Sequence, residues 1–234
     1  MILRFGKLLP WLLLLAMGAG WGLAFSLAKM GILAGGKPLG MAFWQMVVAI
    51  ILTLVVARLQ GRPVPMDRHH IRNYLIVSVL ASSIPSSCLL FAAGRVPAGV
   101  ISITMAIVPM LTYALAIGLG RERQSLIRLT GLFCGIAAIL LLLLPETSLP
   151  EKAAVPWVLL AAIAPTCHAI NNINLTRPVM AGMQPVHVIF GANLFGAMTL
   201  LPLALASGHF FVPTMPFGTL EWTIVGNGVI NVLA

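Results

Sequence analysis

The chain has 234 residues, of which 60% are hydrophobic and only 8% charged, and it carries a formal net charge of +9. A water-soluble domain of this size cannot hide so much apolar surface, so lipid must be the solvent for most of it. The basic charge is spread through short loops between apolar runs, which excludes nucleic acid as its partner.

A helix needs about 20 apolar residues to cross the hydrocarbon layer of a bilayer. In chain order, such segments cover residues 8–31, 39–57, 73–93, 99–119, 126–144, 153–176 and 186–206, and a stub follows at 223–234. The runs are continuous rather than alternating with period two, so the predicted fold is all-α and polytopic, with lipid as its surroundings. With the N-terminus in the cytoplasm, Arg4, Lys7, Arg58, Arg62, Arg68, Arg72, Arg121, Arg123, Arg128 and Arg177 fall on the cytoplasmic side. Lys37, Arg95 and Lys152 fall on the other, and Lys29 lies near the outer end of the first span, where it is expected to snorkel. This is the positive-inside bias that sets topology. Arg4 and Lys7 ahead of an apolar run superficially resemble a signal peptide, but the run continues to Gly31 and the later spans alternate correctly when it is kept. Cys88, Cys134 and Cys167 lie inside spans without metal-ligand spacing and read as packing residues.

Polar residues within the spans are the candidates for function. In the first span Gly18, Trp21, Phe25 and Lys29 drift along one face; Trp21 suits stacking on a substrate and ordinary packing equally. Gln45 in the second span and Asn193 in the seventh are isolated and suit interhelical hydrogen bonds. The third span puts Ser78, Ser82, Pro85 and Ser86 on a shared helical face, for close packing or for a substrate. In the fourth, Ser102, Pro109 and Tyr113 align; Pro109 predicts a kink, and Tyr113 suits an interfacial anchor as well as a site. The sixth span reads Thr166-Cys167-His168-Ala169-Ile170-Asn171-Asn172-Ile173-Asn174. His168, Asn171 and Asn172 share a face there, and such groups would lack partners in lipid, so they are expected to face protein or a water-filled cavity. Pro165 just before them loosens the helix and frees a carbonyl. Asn227 and Asn231, four apart in the last segment, are placed to face the same cavity as His168. No Asp or Glu falls in the interior: Asp67 and Glu122 lie on the cytoplasmic side, and Glu146, Glu151 and Glu221 on the other. Glu122 is expected to pair with nearby arginines. His168 and His187 alone suit a proton relay, and His187 is close to the membrane surface.

The chain also repeats itself. Pro10-Trp11-Leu12-Leu13-Leu14 is matched by Pro156-Trp157-Val158-Leu159-Leu160, and Ala34-Gly35-Gly36-Lys37-Pro38 by Ala181-Gly182-Met183-Gln184-Pro185. Phe43 then corresponds to Phe190. The offset is about 147 residues, which predicts two units, 1–145 and 146–234. Five spans in the first unit force the second to enter from the opposite side, giving the inverted repeat of many secondary transporters. A counterpart of about 57 residues, matching Cys88 to Leu144, is then expected beyond Ala234, so that about eight of ten helices are present.

Trp21-Gly22-Leu23-Ala24-Phe25, Ala98-Gly99-Val100 leading to Pro109, Gly120-Arg121-Glu122-Arg123, and then Gly131 and Gly135 resemble the EamA-type permeases of the drug/metabolite transporter superfamily. The resemblance covers the whole first unit and is weaker in the second. It implies a ten-helix transporter of a bacterial inner membrane, C-terminally truncated here, in which the fourth span borders the pathway and export is common. One departure bears on substrate charge: where that family commonly has an arginine early in the second helix, this chain reads Phe43-Trp44-Gln45-Met46.

The expected function is alternating-access transport of a small metabolite, an amino-acid-like compound or a drug, in contact with membrane lipid. Trp21, Ser82, Tyr113, His168, Asn171 and Asn172 are the expected substrate contacts, with Pro85, Pro109 and Pro165 at kinks or gates. A non-transporting membrane interaction protein is the alternative. The Gly and Ala of the spans serve a homodimer or internal packing alike. An intramembrane enzyme is disfavoured: there is no His-Glu-x-x-His motif, no P-loop and no paired carboxylate in a span, and His69-His70 sit in a basic loop. No cofactor or metal is expected.

Overall fold

The computed structural model describes residues 2–122, 125–143 and 154–233, without the side chains of residues 2–8 and 138–143. Arg123, Glu146, Glu151, Lys152 and Ala234, the predicted outer end of the fifth span at Leu144 and the start of the sixth at Ala153 lie outside the described residues, as do the side chains of Arg4 and Lys7. Among the described residues every regular element is helical. The elements are α1 (Ile2–Leu33), α2 (Pro38–Leu59), α3 (Arg68–Val77), α4 (Ile84–Ala93), α5 (Ala98–Met105), α6 (Val108–Gly118), α7 (Leu126–Leu143), α8 (Val155–Leu175), the short α9 (Pro178–Ala181), α10 (Pro185–Ala206) and α11 (Thr219–Leu233). A π-helical turn, Ser78–Ser83, joins α3 to α4, so that Arg68–Ala93 forms one span. Ala98–Gly118 forms another from α5 and α6. Among the described residues six helices are long and apolar enough to cross a membrane, α7 and α11 being the shorter pieces, and the chain is a polytopic membrane protein.

The ends of these helices follow from local chemistry. Pro38 and Pro185 open α2 and α10 at the first turn, where the missing N–H costs nothing. Asp67 caps α3, its Oδ1 accepting the amides of His69 and His70 at 2.9 and 3.1 Å. At the far ends of α6 and α10 the backbone turns left-handed at Gly120 and Gly208, both with φ of 67°. The next amide then reaches back, Arg121 N to Ala116 O and His209 N to Ala204 O, each at 2.8 Å.

Alpha-2 and α10 run along each other at the centre. Met41, Ala42, Met46 and Ala49 of α2 are buried, as are Phe190, Ala192, Gly196, Ala197 and Leu200 of α10. Small residues on both faces let the backbones approach, the packing that replaces hydrophobic drive inside a bilayer. Helix α11 packs on α1 and α2, while the third span packs on α8 and α10. Exchanging α1 with α8, α2 with α10 and the third span with α11 maps these pairings onto themselves.

One end of the bundle is crossed by the segment 207–218. Lys37 Nζ donates to Gly208 O at 2.6 Å and Trp44 Nε1 to Phe211 O at 2.8 Å, with the Phe210 ring 5.9 Å from that of Phe43. Glu221, buried in the first turn of α11, accepts from Thr214 N at 3.1 Å, Thr214 Oγ1 at 3.2 Å and Gly218 N at 3.0 Å. The Thr214 amide is the main reason that its carboxyl lies below the ordinary glutamate value. A carboxylate with a lowered folded pKa adds stability that is present above its unfolded value, near 4.5, and is lost as pH falls through the folded one. The melting temperature is therefore expected to drop on acidification below that value, and Glu221→Gln to flatten the drop. Melting curves of the two proteins in detergent at stepped acid pH measure the difference, and parallel curves would refute this role.

Candidate functional site

Where α1, α2, the third span, α5, α8 and α11 converge they leave a cavity of about 130 Å³. Alpha-1 gives it an aromatic side, Trp21 and Phe25, with ring centroids 6.4 Å apart and nearly perpendicular. His168 of α8 faces the same indole, centroid to centroid 5.7 Å, in an edge-on contact. Gln45 comes from α2, Pro85 and Ser86 from α4, and Asn227 and Asn231 from α11. None of the described wall residues is Asp, Glu, Lys or Arg.

Two of the amides are not used by the fold. Gln45 Nε2, a donor, and Asn227 Oδ1, an acceptor, are buried without a hydrogen-bond partner. They stand on helices in close contact: a Cβ added at Gly228 would lie 3.0 Å from the Gln45 carbonyl oxygen. Asn231, in contrast, is committed to α10, donating to Asn193 Oδ1 at 3.3 Å, and Asn193 Nδ2 in turn donates to Ile189 O at 2.8 Å. An orphaned polar atom in an apolar interior costs about 1–3 kcal/mol. Gln45 and Asn227 both line the cavity, and their two unpartnered atoms are of complementary kind.

The π turn shapes the wall. Pro85 has no N–H and its ring crowds the carbonyl four residues back, at Ala81. The widened turn relieves this, and hydroxyls take up the strain: Ser83 Oγ lies 3.3 Å from both Ser78 Oγ and Thr199 Oγ1, and Ser87 Oγ donates to Ser83 O at 2.7 Å. An i→i+5 turn holds about one residue more than an α turn, which rotates everything after it by roughly 100°. Pro85 and Ser86 therefore line the cavity, whereas Ser78 and Ser82 are buried and do not. The face expected from a regular helix is split.

The sixth predicted span divides as well. From His168 the side chains of Asn171 and Asn172 lie about 60° to one side and about 40° to the other. His168 reaches the cavity; Asn172 lines a separate recess with Pro109, Thr112 and Tyr113, its Nδ2 donating to Thr112 Oγ1 at 3.2 Å. Asn171, on the other side of His168 from Asn172, is buried, its Oδ1 without a partner. Tyr113 belongs to the recess, its hydroxyl accepting the Ser125 amide at 3.0 Å with the Arg128 guanidinium 5.6 Å from its ring. Arg128 also pairs with Glu122. Pro109 opens α6 after the break that ends α5 at Met105, and Pro165 lies within the continuous α8. Of the expected contacts the cavity thus brings together Trp21, His168 and Pro85; Tyr113, Asn172 and Pro109 meet elsewhere, and Ser82 and Asn171 are buried.

Gln45 is the wall residue that sequence reasoning valued too little, reading it as interhelical glue. Its signal was its place: an amide early in the second helix, where the resembling permeases commonly carry an arginine. Lys29, expected to snorkel, donates to Val96 O at 3.3 Å and ties α1 to the turn before α5.

The model of one protein family, described as the EamA-like transporter family, matches residues 8–144, more than half of the chain. No curated protein matches the chain, and no solved structure does.

Proposed function

Since the chain belongs to the EamA-like transporter family, a family of membrane transporters of the drug/metabolite type, we propose that it moves a small molecule through the Trp21–His168 cavity by alternating access, in the direction of export. The observation that carries this reading is the pair of unpartnered amides, Gln45 and Asn227, on facing helices at a cavity between the two helix sets. The pairing of α1 with α11, α4 with α8 and α2 with α10 supports two inverted units, 1–145 and 146–234, that rock about that point. Arg62 holds Gln184 at 2.8 Å and Arg121 holds Thr176 at 2.8 Å at one end, and Lys37 and Trp44 hold the segment 207–218 at the other. Each set of ties must open in turn. The arginine-rich end is the cytoplasmic one by the positive-inside rule, with a bacterial inner membrane as the setting.

The test needs no known substrate. Cys88, Cys134 and Cys167 are free thiols; with all three replaced by alanine, Ser86→Cys reports on the cavity. A membrane-impermeant maleimide is expected to label the thiol introduced at position 86 from either side of sealed vesicles. Labelling from one side only, or from neither, would mean a static membrane protein and would end the transporter reading.

A further inference from the structure

The geometry points to a substrate class for this cavity: uncharged molecules that present a hydrogen-bond acceptor beside a donor, as a carboxamide, urea or lactam does, on an apolar body. The inference rests on the reading of the cavity as a transport site. Two independent features lead to it. The first is the absence of Asp, Glu, Lys and Arg from the described wall. A carboxylate or ammonium entering there would shed its water with no counter-charge to meet it, the most costly transfer a polar group can make.

The second is what the wall does offer. Gln45 Nε2 requires an acceptor and Asn227 Oδ1 a donor. Alpha-2 and α11 approach closely at Gly228, the residue after Asn227, and Gln45 and Asn227 both line the cavity. A ligand amide carries both groups, a C=O for the one and an N–H for the other. The demand for one acceptor and one donor holds for these orientations, or with both side-chain amides turned over; turning one alone would make the two demands alike. The rings of Trp21 and Phe25, nearly perpendicular to each other, supply aromatic surface for an apolar body. A site built to hydrogen-bond a substrate group rejects analogues that lack it far more strongly than an apolar pocket rejects a missing methylene.

Benzamide, benzoate, benzylammonium and toluene share a ring and differ in the group that the cavity would read. Equilibrium dialysis of each against the full chain in lipid nanodiscs, with empty nanodiscs subtracted, ranks them. Benzamide is expected to bind at least about tenfold more tightly than the other three. The variant Gln45→Leu with Asn227→Leu should bring benzamide to within about twofold of toluene. Benzoate or benzylammonium binding as tightly as benzamide, and lost on cavity filling by Ser86→Trp, overturns the substrate class while the transport site stands. No saturable binding of any of the four overturns the class, and two-sided labelling of the Ser86→Cys variant then decides whether the transporter reading falls with it.

Discussion

Gly228→Leu is expected to cost about 3 kcal/mol or more, and Gly228→Ala about 1–3 kcal/mol, of unfolding free energy. In a helix interior alanine is ordinarily favoured over glycine by about 1 kcal/mol, so the sign depends on what the new carbon meets. At Gly228 it would come within 2.6 Å of Val48 Cβ and Cγ1 and 3.0 Å of the Gln45 carbonyl, atoms on or next to a helix backbone that cannot step aside. At Gly226, two residues away, it would meet only the terminal Cδ1 of Leu27 at 3.1 Å, which can rotate off. Gly226→Ala is therefore expected to be neutral or stabilising. Denaturant titration of the three variants in mixed micelles measures the contrast. Equal effects at positions 226 and 228 would mean that α2 and α11 are not packed as described.

The second large effect is functional. Asn171→Leu is expected to leave stability unchanged or to raise it by about 1–2 kcal/mol, because it removes a buried acceptor that nothing satisfies. Added to the Ser86→Cys background, the same change is expected to slow maleimide labelling from one side of the vesicles at least about tenfold, as a carbonyl kept for a state in which it is solvated or bound requires. Asn172→Leu separates the two consequences. It breaks the bond to Thr112 and should lower stability by about 1 kcal/mol. Unchanged labelling in Asn171→Leu would remove that residue from the pathway.

The spans were legible because bilayer thickness sets their length, and the apolar runs meet it without help from tertiary contacts. Their ends were less so. The third span was expected from Asn73 and begins at Arg68, since the Asp67 cap carries the helix through a charged turn that hydropathy does not count. The last was expected from Thr223 and begins at Thr219, where Glu221 fastens the first turn. The break after Met105 was foreshadowed by Pro109. What could not be read was the π turn, because projecting Ser78, Ser82, Pro85 and Ser86 onto one face assumes a constant 3.6-residue period. The sixth span divides for a simpler reason. His168, Asn171 and Asn172 do cluster on an arc, but an arc of about 100° is wide enough to border two neighbouring spaces.

The tether across the end of the bundle has an unequal division of information. Lys37 and Trp44 supply the donors, while Gly208 and Phe211 supply only main-chain carbonyls, which any residue carries. Substitutions in the crossing segment therefore leave its half of each bond intact, apart from Gly208, whose left-handed backbone few residues tolerate. The heritable specification of these two bonds resides almost wholly in two side chains at the start of α2. Relatives could change the residue at position 211 and keep its bond to Trp44, whereas a single codon change at either donor would remove one tie outright.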